Sequence, residues 1–253
     1  MSDFILETRG LSKSFGAFKA VNGVDLCVRK GTIHALIGPN GAGKSTVFNL
    51  LTKFLKPSTG KILFNGRDIT HLDPSSIAFQ GMVRSFQISA VFPQLTVRQN
   101  VRVALQRSLG VSFHFWRSSK CLRQLDDRAA ELIESVNLGD WADRTAGELP
   151  YGRKRALEIA TTLALDPELI LLDEPLAGMG REDIARTADL IKSLAQTKTV
   201  IMVEHNLSVV ADISDHITVL RQGSVLAEGT YDEVSQNRDV VEAYMGTTGA
   251  THG

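Results

Sequence analysis

Cysteine is scarce in this 253-residue chain: Cys27 and Cys121 stand far apart, in no C-x-x-C or histidine-rich cluster. That argues against a disulfide framework and against a zinc site, and both residues are expected to serve as packing. An excess of either charge is also missing, with 28 Lys+Arg balanced by 28 Asp+Glu, and aromatics make up only 6%. An extended phosphate-binding surface needs a basic surplus, so no nucleic-acid partner is expected. Long apolar runs are absent: Leu169 to Leu172 and Val200 to Val203 fall far short of the ~20 residues that cross a bilayer. Met1 to Arg9 lack the basic and apolar regions of a secretory signal, so the chain is expected to stay in the cytosol. What remains is the composition of a soluble globular protein, 43% hydrophobic and long enough to bury a sizeable core.

Short β-branched runs, Val21 to Val28, Thr32 to Ile37, Lys61 to Phe64 and Met82 to Phe86, are punctuated by Gly31, Gly38, Gly60, Gly66 and Gly81 and predict strands. After Gln87 the period changes. Thr96 to Ser108, Cys121 to Asn137 and Gly152 to Leu165 carry apolar residues three and four apart, which predicts helices. From Glu168 onward strands (169–172, 199–203, 216–220) alternate with helices (182–195, 207–213), a rhythm that predicts a parallel sheet. The expected organisation is one α/β domain over 1–253. Its core lobe comes from 1–87 and 166–253, and an all-helical subdomain is inserted at 88–165.

The strongest chemical signal is Gly38-Pro39-Asn40-Gly41-Ala42-Gly43-Lys44-Ser45-Thr46, a G-x-x-x-x-G-K-[ST] loop set between a strand and the helical Val47 to Phe54. Glycines let backbone N–H groups turn toward phosphate oxygens, and the helix N-terminus adds positive potential. Lys44 then reaches the β/γ-phosphates and the Ser45 hydroxyl serves Mg²⁺. An ordinary glycine-rich βα turn would not require the lysine and serine. The apolar run 169–172 next delivers Asp173-Glu174 to the C-terminal strand edge, where open α/β sheets hold ligands. Asp173 is expected in the metal shell and Glu174 beside the water that attacks the γ-phosphate. Val200 to Val203 ends similarly in Glu204-His205, placing His205 on the same edge with an imidazole suited to a γ-phosphate. Gln87 follows another strand, and its carbonyl suits Mg²⁺ or that water.

In this order the motifs resemble the ATP-binding-cassette (ABC) ATPases over nearly the whole chain. The resemblance implies a P-loop NTPase (RecA-like) lobe with an N-terminal antiparallel β subdomain and the inserted helical subdomain. It assigns Phe15 to stacking on adenine, Gln87 to the Q-loop, Ala177 to Gly180 to the D-loop and His205 to the switch position. Leu149-Pro150-Tyr151-Gly152-Arg153 takes the place of the signature L-S-G-G-Q, which implies contact with the nucleotide of a partner subunit in a head-to-tail dimer. Pro150 has neither the hydroxyl nor the N–H of the usual serine, and Gly180 stands where the D-loop usually ends in an acid. These departures suggest an asymmetric heterodimer.

The tyrosine-bearing signature, Met82 to Gln87, Phe48 to Thr52 and Pro57 to Gly60 are similar to the LivG-type branch, the ATPases of branched-chain amino-acid importers. That branch implies ATP and Mg²⁺, a second ABC ATPase subunit and two transmembrane permeases. It also implies, indirectly, a periplasmic solute-binding protein, and residence on the cytoplasmic face of the inner membrane. The apolar stretch 88–97 follows the Q-loop where the family docks a permease coupling helix, although lobe packing would use the same residues. The aromatic stretch 111–117, with basic neighbours, suits either a membrane- or permease-facing loop or packing, and is expected to pack. The alternatives are an ABC subunit for another small solute and a soluble ABC ATPase acting on protein or nucleic-acid assemblies without a membrane partner, and a single cassette with balanced charge gives the latter little support. An ordinary P-loop kinase would leave the helical insert without a purpose.

Overall fold

The computed structural model describes residues 3–85, 91–108 and 119–245. Two long strands, β1 (Phe4–Phe15) and β2 (Phe18–Arg29), form a hairpin that joins β4 (Thr59–Phe64) and β5 (Arg67–Asp68) in an antiparallel sheet of order β2-β1-β4-β5. The second sheet has six strands in the order β10-β9-β3-β8-β7-β6. It is built from β3 (Ile33–Ile37), β6 (Met82–Ser85), β7 (Leu169–Asp173), β8 (Thr199–Val203), β9 (His216–Arg221) and β10 (Ser224–Gly229). All its pairings are parallel except β9 with β10. The alternation of strand and helix predicts the parallel part. The sheet is mixed rather than wholly parallel because Gln222 and Gly223, both at positive φ, turn the chain back after β9, as two-residue hairpin loops do.

Every residue of β3, β7 and β8 is buried, which is why these strands stand in the sequence as unbroken apolar runs rather than alternating ones. Successive side chains serve opposite faces. Ile33, Ala35, Ile37, Ile170, Leu172, Val200 and Met202 pack toward the cluster that includes the helices between Val97 and Leu163. Leu36, Leu169, Leu171, Ile201 and Val203 pack toward the antiparallel sheet and α1 (Lys44–Leu51). The helices α3 (Val97–Ser108), α4 (Ser119–Ser135) and α5 (Tyr151–Leu163) pack on one another, and α6 (Arg181–Ala195) and α7 (Leu207–Ile213) flank the C-terminal strands.

Some elements differ from expectation. The helix after the glycine loop stops at Leu51 rather than Phe54: the Thr52 hydroxyl donates back to the Phe48 carbonyl at 2.7 Å, and Lys53 turns left-handed at φ 64°. Phe54 is thereby left 52% exposed. Strands β1 and β10 and the short helices α2 (Pro74–Phe79), α8 (Tyr231–Ser235) and α9 (Arg238–Met245) are not anticipated from the sequence pattern. Polar residues such as Glu7, Arg9 and Lys13 break the apolar signal of β1. Cys27 lies exposed on β2 rather than packed. No described helix is long and apolar enough to cross a membrane.

Candidate active site

Three neighbouring parallel strands, β3, β8 and β7, end on one edge of the sheet, and each delivers a group singled out in the sequence. From β3 the chain enters Gly38 to Gly43 and then α1. Gly38, Gly41 and Gly43 sit at φ 149°, 78° and 101°, values that a side chain rarely tolerates. A Cβ on Gly38 would stand 2.2 Å from the Leu220 carbonyl oxygen, and one on Gly43 would stand 2.8 Å from that of Ala20. A Cβ on Gly41 would meet nothing within 4 Å. The loop is therefore pressed against β9 and β2 on one side and open on the other.

Lys44 is buried, and its Nζ donates to the carbonyls of Gly38 (2.7 Å) and Pro39 (3.0 Å). Burial pushes its pKa down, and the nearby Glu174 carboxylate opposes that shift. Ser45 is exposed at the first turn of α1. The arrangement fits a polyanion: a helix N-terminus, an open glycine face and an ammonium that donates to the loop's own carbonyls. A cavity of about 290 Å³ adjoins the loop, walled by Pro39 to Ala42, by Arg221 and Gln222, and by Glu242 and Ala243 of α9.

At the end of β7, Asp173 is buried and pairs with Arg84 of β6, while its main-chain oxygen accepts from Arg155 of α5 at 3.0 Å. Glu174 follows with φ 45°, a left-handed conformation that costs a non-glycine residue roughly 1–2 kcal/mol. Its N–H donates to the Val203 carbonyl at 3.0 Å. The peptide joining Asp173 to Glu174 is thus held at its oxygen by the signature helix and at its nitrogen by β8. At the end of β8, Glu204 is only 1% exposed: Oε1 accepts from Leu176 N–H at 3.0 Å and Oε2 from His205 N–H at 3.1 Å. Glu204 thus ties the two acidic and basic loops together, and His205 itself is exposed. Among the described residues no group of three His, Cys, Asp or Glu could hold a metal by itself. The Ser45 hydroxyl and the Asp173 carboxylate are hard oxygen donors, the kind of which Mg²⁺ usually takes one or two beside substrate phosphates.

Phe15 ends β1 and is 49% exposed, with Lys13 Nζ 5.2 Å from its ring centroid. Phe18, across the hairpin, is 67% exposed, so two aromatics rather than one are available there. Gln87, the expected Q-loop residue, lies outside the described residues, as do 88–90 and 111–117. The segment Leu149 to Arg153 packs within its own chain and not against the glycine loop in any described contact. Leu149 is buried, Pro150 caps α5 without a side-chain hydrogen bond, and Tyr151 is exposed near Gly178. A Cβ on Gly152 would lie 2.5 Å from the Asp183 carboxyl carbon. Arg153 donates to the Asn137 carbonyl at 2.7 Å. Sequence reasoning missed Arg84, Arg155 and the grip of Glu204; a charge inside the short strand 82–85 was the one available hint.

Comparison with known proteins places the chain among ATP-binding cassettes. The ABC transporter family profile matches residues 21–177, and that of the branched-chain amino acid ATP-binding cassette transporter matches 224–250. The chain is 42% identical to the high-affinity branched-chain amino acid transport ATP-binding protein BraF of Pseudomonas aeruginosa, over 97% of this chain and 99% of that protein. It is 40% identical to the corresponding LivG of Escherichia coli K12, with the same coverage. It also superimposes on an ATP-binding cassette of an ABC transporter crystallised in its ADP conformation, with TM-score 0.85, 32% identity and coverage of 97% and 100%.

Proposed function

Because the chain belongs to the ATP-binding-cassette family of transporter ATPases, we propose that it is the ATP-hydrolysing motor of an importer for branched-chain or other hydrophobic amino acids. The single observation that carries this reading is full-length similarity to two such transport proteins, joined to one sheet edge that gathers Lys44, Glu174 and His205. Backbone amides from Gly38 to Thr46 bind the phosphates and Phe15 stacks on the base. Lys44, freed from the Gly38 and Pro39 carbonyls, takes the β/γ-phosphate oxygens. Ser45, Asp173 and Gln87 would hold Mg²⁺, which when bound would neutralise phosphate charge. Glu174, whose carboxylate acts on Lys44 across the site, orients and deprotonates the attacking water. His205 donates to the γ-phosphate. Phosphoryl transfer needs mainly such positioning and charge stabilisation.

Residues 149–153 contact the nucleotide of a second ABC ATPase subunit from the helical subdomain, 88–165. Pro150 and Gly180 make that pair asymmetric, because neither supplies the usual polar group to the partner's site. Two permeases dock on the exposed apolar side chains Phe54, Phe79 and Phe92, the first two beside a cavity of about 390 Å³, and receive solute from a periplasmic binding protein. The motor thus sits on the cytoplasmic face of the inner membrane. Cells lacking this chain should lose high-affinity uptake of radiolabelled leucine. The wild-type gene should restore it, whereas Glu174→Gln should bind ATP yet turn over about 10²–10⁴-fold more slowly and restore none. Unchanged leucine uptake in the deletion strain would overturn the importer assignment, and full turnover by Glu174→Gln would overturn the role of Glu174.

A further inference from the structure

Arg84 joins the two elements that carry the metal-shell residues. It lies inside β6, in register with Leu171 of β7, and its side chain is only 16% exposed. A guanidinium so placed is costly unless its hydrogens find acceptors. One arm, Nη2, reaches Asp173 Oδ2, and the other, Nη1, donates to Asn49 Oδ1 at 2.7 Å. Its Cζ lies 5.8 Å from the ring centroids of both Phe48 and Phe54. Asn49 stands four residues after Ser45 on α1, and side chains at that spacing share a helix face. The fork therefore spans from the face of α1 that bears Ser45 to the carboxylate of Asp173, and it occupies Oδ2 only.

We propose that Arg84 is a positioning residue for the metal site, fixing the separation of α1 from β7 and directing Oδ1 of Asp173 toward the metal shell. The inference rests on the reading of Asp173 and Ser45 as metal-shell residues. A planar fork held at both arms and lying beside two rings can do this, whereas the single ammonium of lysine cannot grip two acceptors on different elements in one plane. The sign of the effect separates positioning from charge. On charge alone, removing a cation beside Asp173 tightens divalent-metal binding. If the grip orients the carboxylate, removing it weakens binding.

The test is Mn²⁺ binding to the full chain in the presence of ADP, followed by electron paramagnetic resonance, with ADP affinity measured separately in EDTA. Arg84→Lys and Arg84→Met are both expected to weaken Mn²⁺ binding about tenfold, or about 1.4 kcal/mol, while ADP affinity in EDTA stays within about twofold. Asn49→Ala, which frees one arm, is expected to change Mn²⁺ binding in the same direction. It decides with Arg84→Lys if Arg84→Met does not fold. Unchanged or tighter Mn²⁺ binding in Arg84→Lys and Arg84→Met would overturn the proposal, as would an equal loss of metal-free ADP affinity. Asp173→Asn separates the two levels. If it binds Mn²⁺ as well as the wild type, the reading of Asp173 itself fails. If it binds Mn²⁺ weakly while the Arg84 variants bind normally, only the role of Arg84 fails.

Discussion

Replacing Gly38 or Gly41 by alanine adds the same methyl group to the same phosphate loop, and the structure predicts different consequences. At Gly38 the new Cβ would stand 2.2 Å from the Leu220 oxygen and 3.1 Å from the Ala42 Cβ, at φ 149°. Leu220 is backbone of β9, the direct neighbour of β3 through pairs such as Ile37 with Val219, so it cannot yield without shifting a sheet register. Strain of about 1–3 kcal/mol for such a backbone adds to about 1–3 kcal/mol for the overlap, giving roughly 2–6 kcal/mol against a typical total of about 5–15. At Gly41, φ is 78° and nothing lies within 4 Å, so the cost is that of a left-handed residue alone, about 1–2 kcal/mol. Its methyl group projects into open space over the loop. Urea unfolding without nucleotide should therefore place Gly38→Ala well below Gly41→Ala in stability. ATP titration of the folded proteins should show Gly41→Ala losing affinity while remaining stable. Equal destabilisation by the two substitutions would refute the account of a loop clamped on the β9 side and open on the other.

Two other groups give independent tests. His34 on β3 is 1% exposed: its Nε2–H donates at 2.8 Å to the Thr218 hydroxyl, which itself donates to Glu228 at 2.9 Å, while Nδ1 is buried without a hydrogen-bond partner among the described residues. Burial, with His216 adding to it, pushes the pKa to about 3. As pH falls through about 6.5 the unfolded chain takes a proton that the folded chain refuses. Stability that is full above pH ~6.5 is then lost toward pH ~3 at about 1.4 kcal/mol per unit. The urea midpoint of the wild type should fall between pH 6.5 and 4.5, and His34→Leu should flatten that slope; an unchanged slope refutes the assignment. Glu204→Gln puts an NH₂ group where two carboxylate oxygens accept N–H bonds. It should cost about 1–3 kcal/mol and slow hydrolysis while ATP affinity persists, as steady-state kinetics and nucleotide titration would register.

The glycine loop, Asp173-Glu174 and His205 were legible in the sequence because each needs particular residue types next to an apolar run, and β3, β7 and β8 are buried throughout their length. The half-exposed strand β1 was not legible, because its outward face carries polar residues that dilute any apolar pattern. Neither was β10, which depends on a turn beginning with a non-glycine residue at positive φ, Gln222. The residues that position the site were hidden for a different reason. Arg84 acts on Asp173 across 89 positions and Glu204 on Leu176 across 28, and no local spacing encodes a partner that distant.

Arg84, Arg155 and Glu204 nevertheless share one property that sequence alone could not rank. Each is a charged side chain largely held out of solvent with one hydrogen bond to the segment Asp173 to Leu176. A buried charge survives only where its partners are fixed, so three of them converging on four residues make that segment rigid from three directions: β6, α5 and β8. The left-handed conformation of Glu174 requires such a frame, since a strained residue persists only where its surroundings over-determine it. Arg155 lies on α5, which begins at Tyr151, so a shift of α5 would act first on the Asp173 carbonyl and through it on the backbone of Glu174. Under the proposed function, Glu174 and the segment 149–153 are therefore two ends of one hydrogen-bonded connection within a single chain.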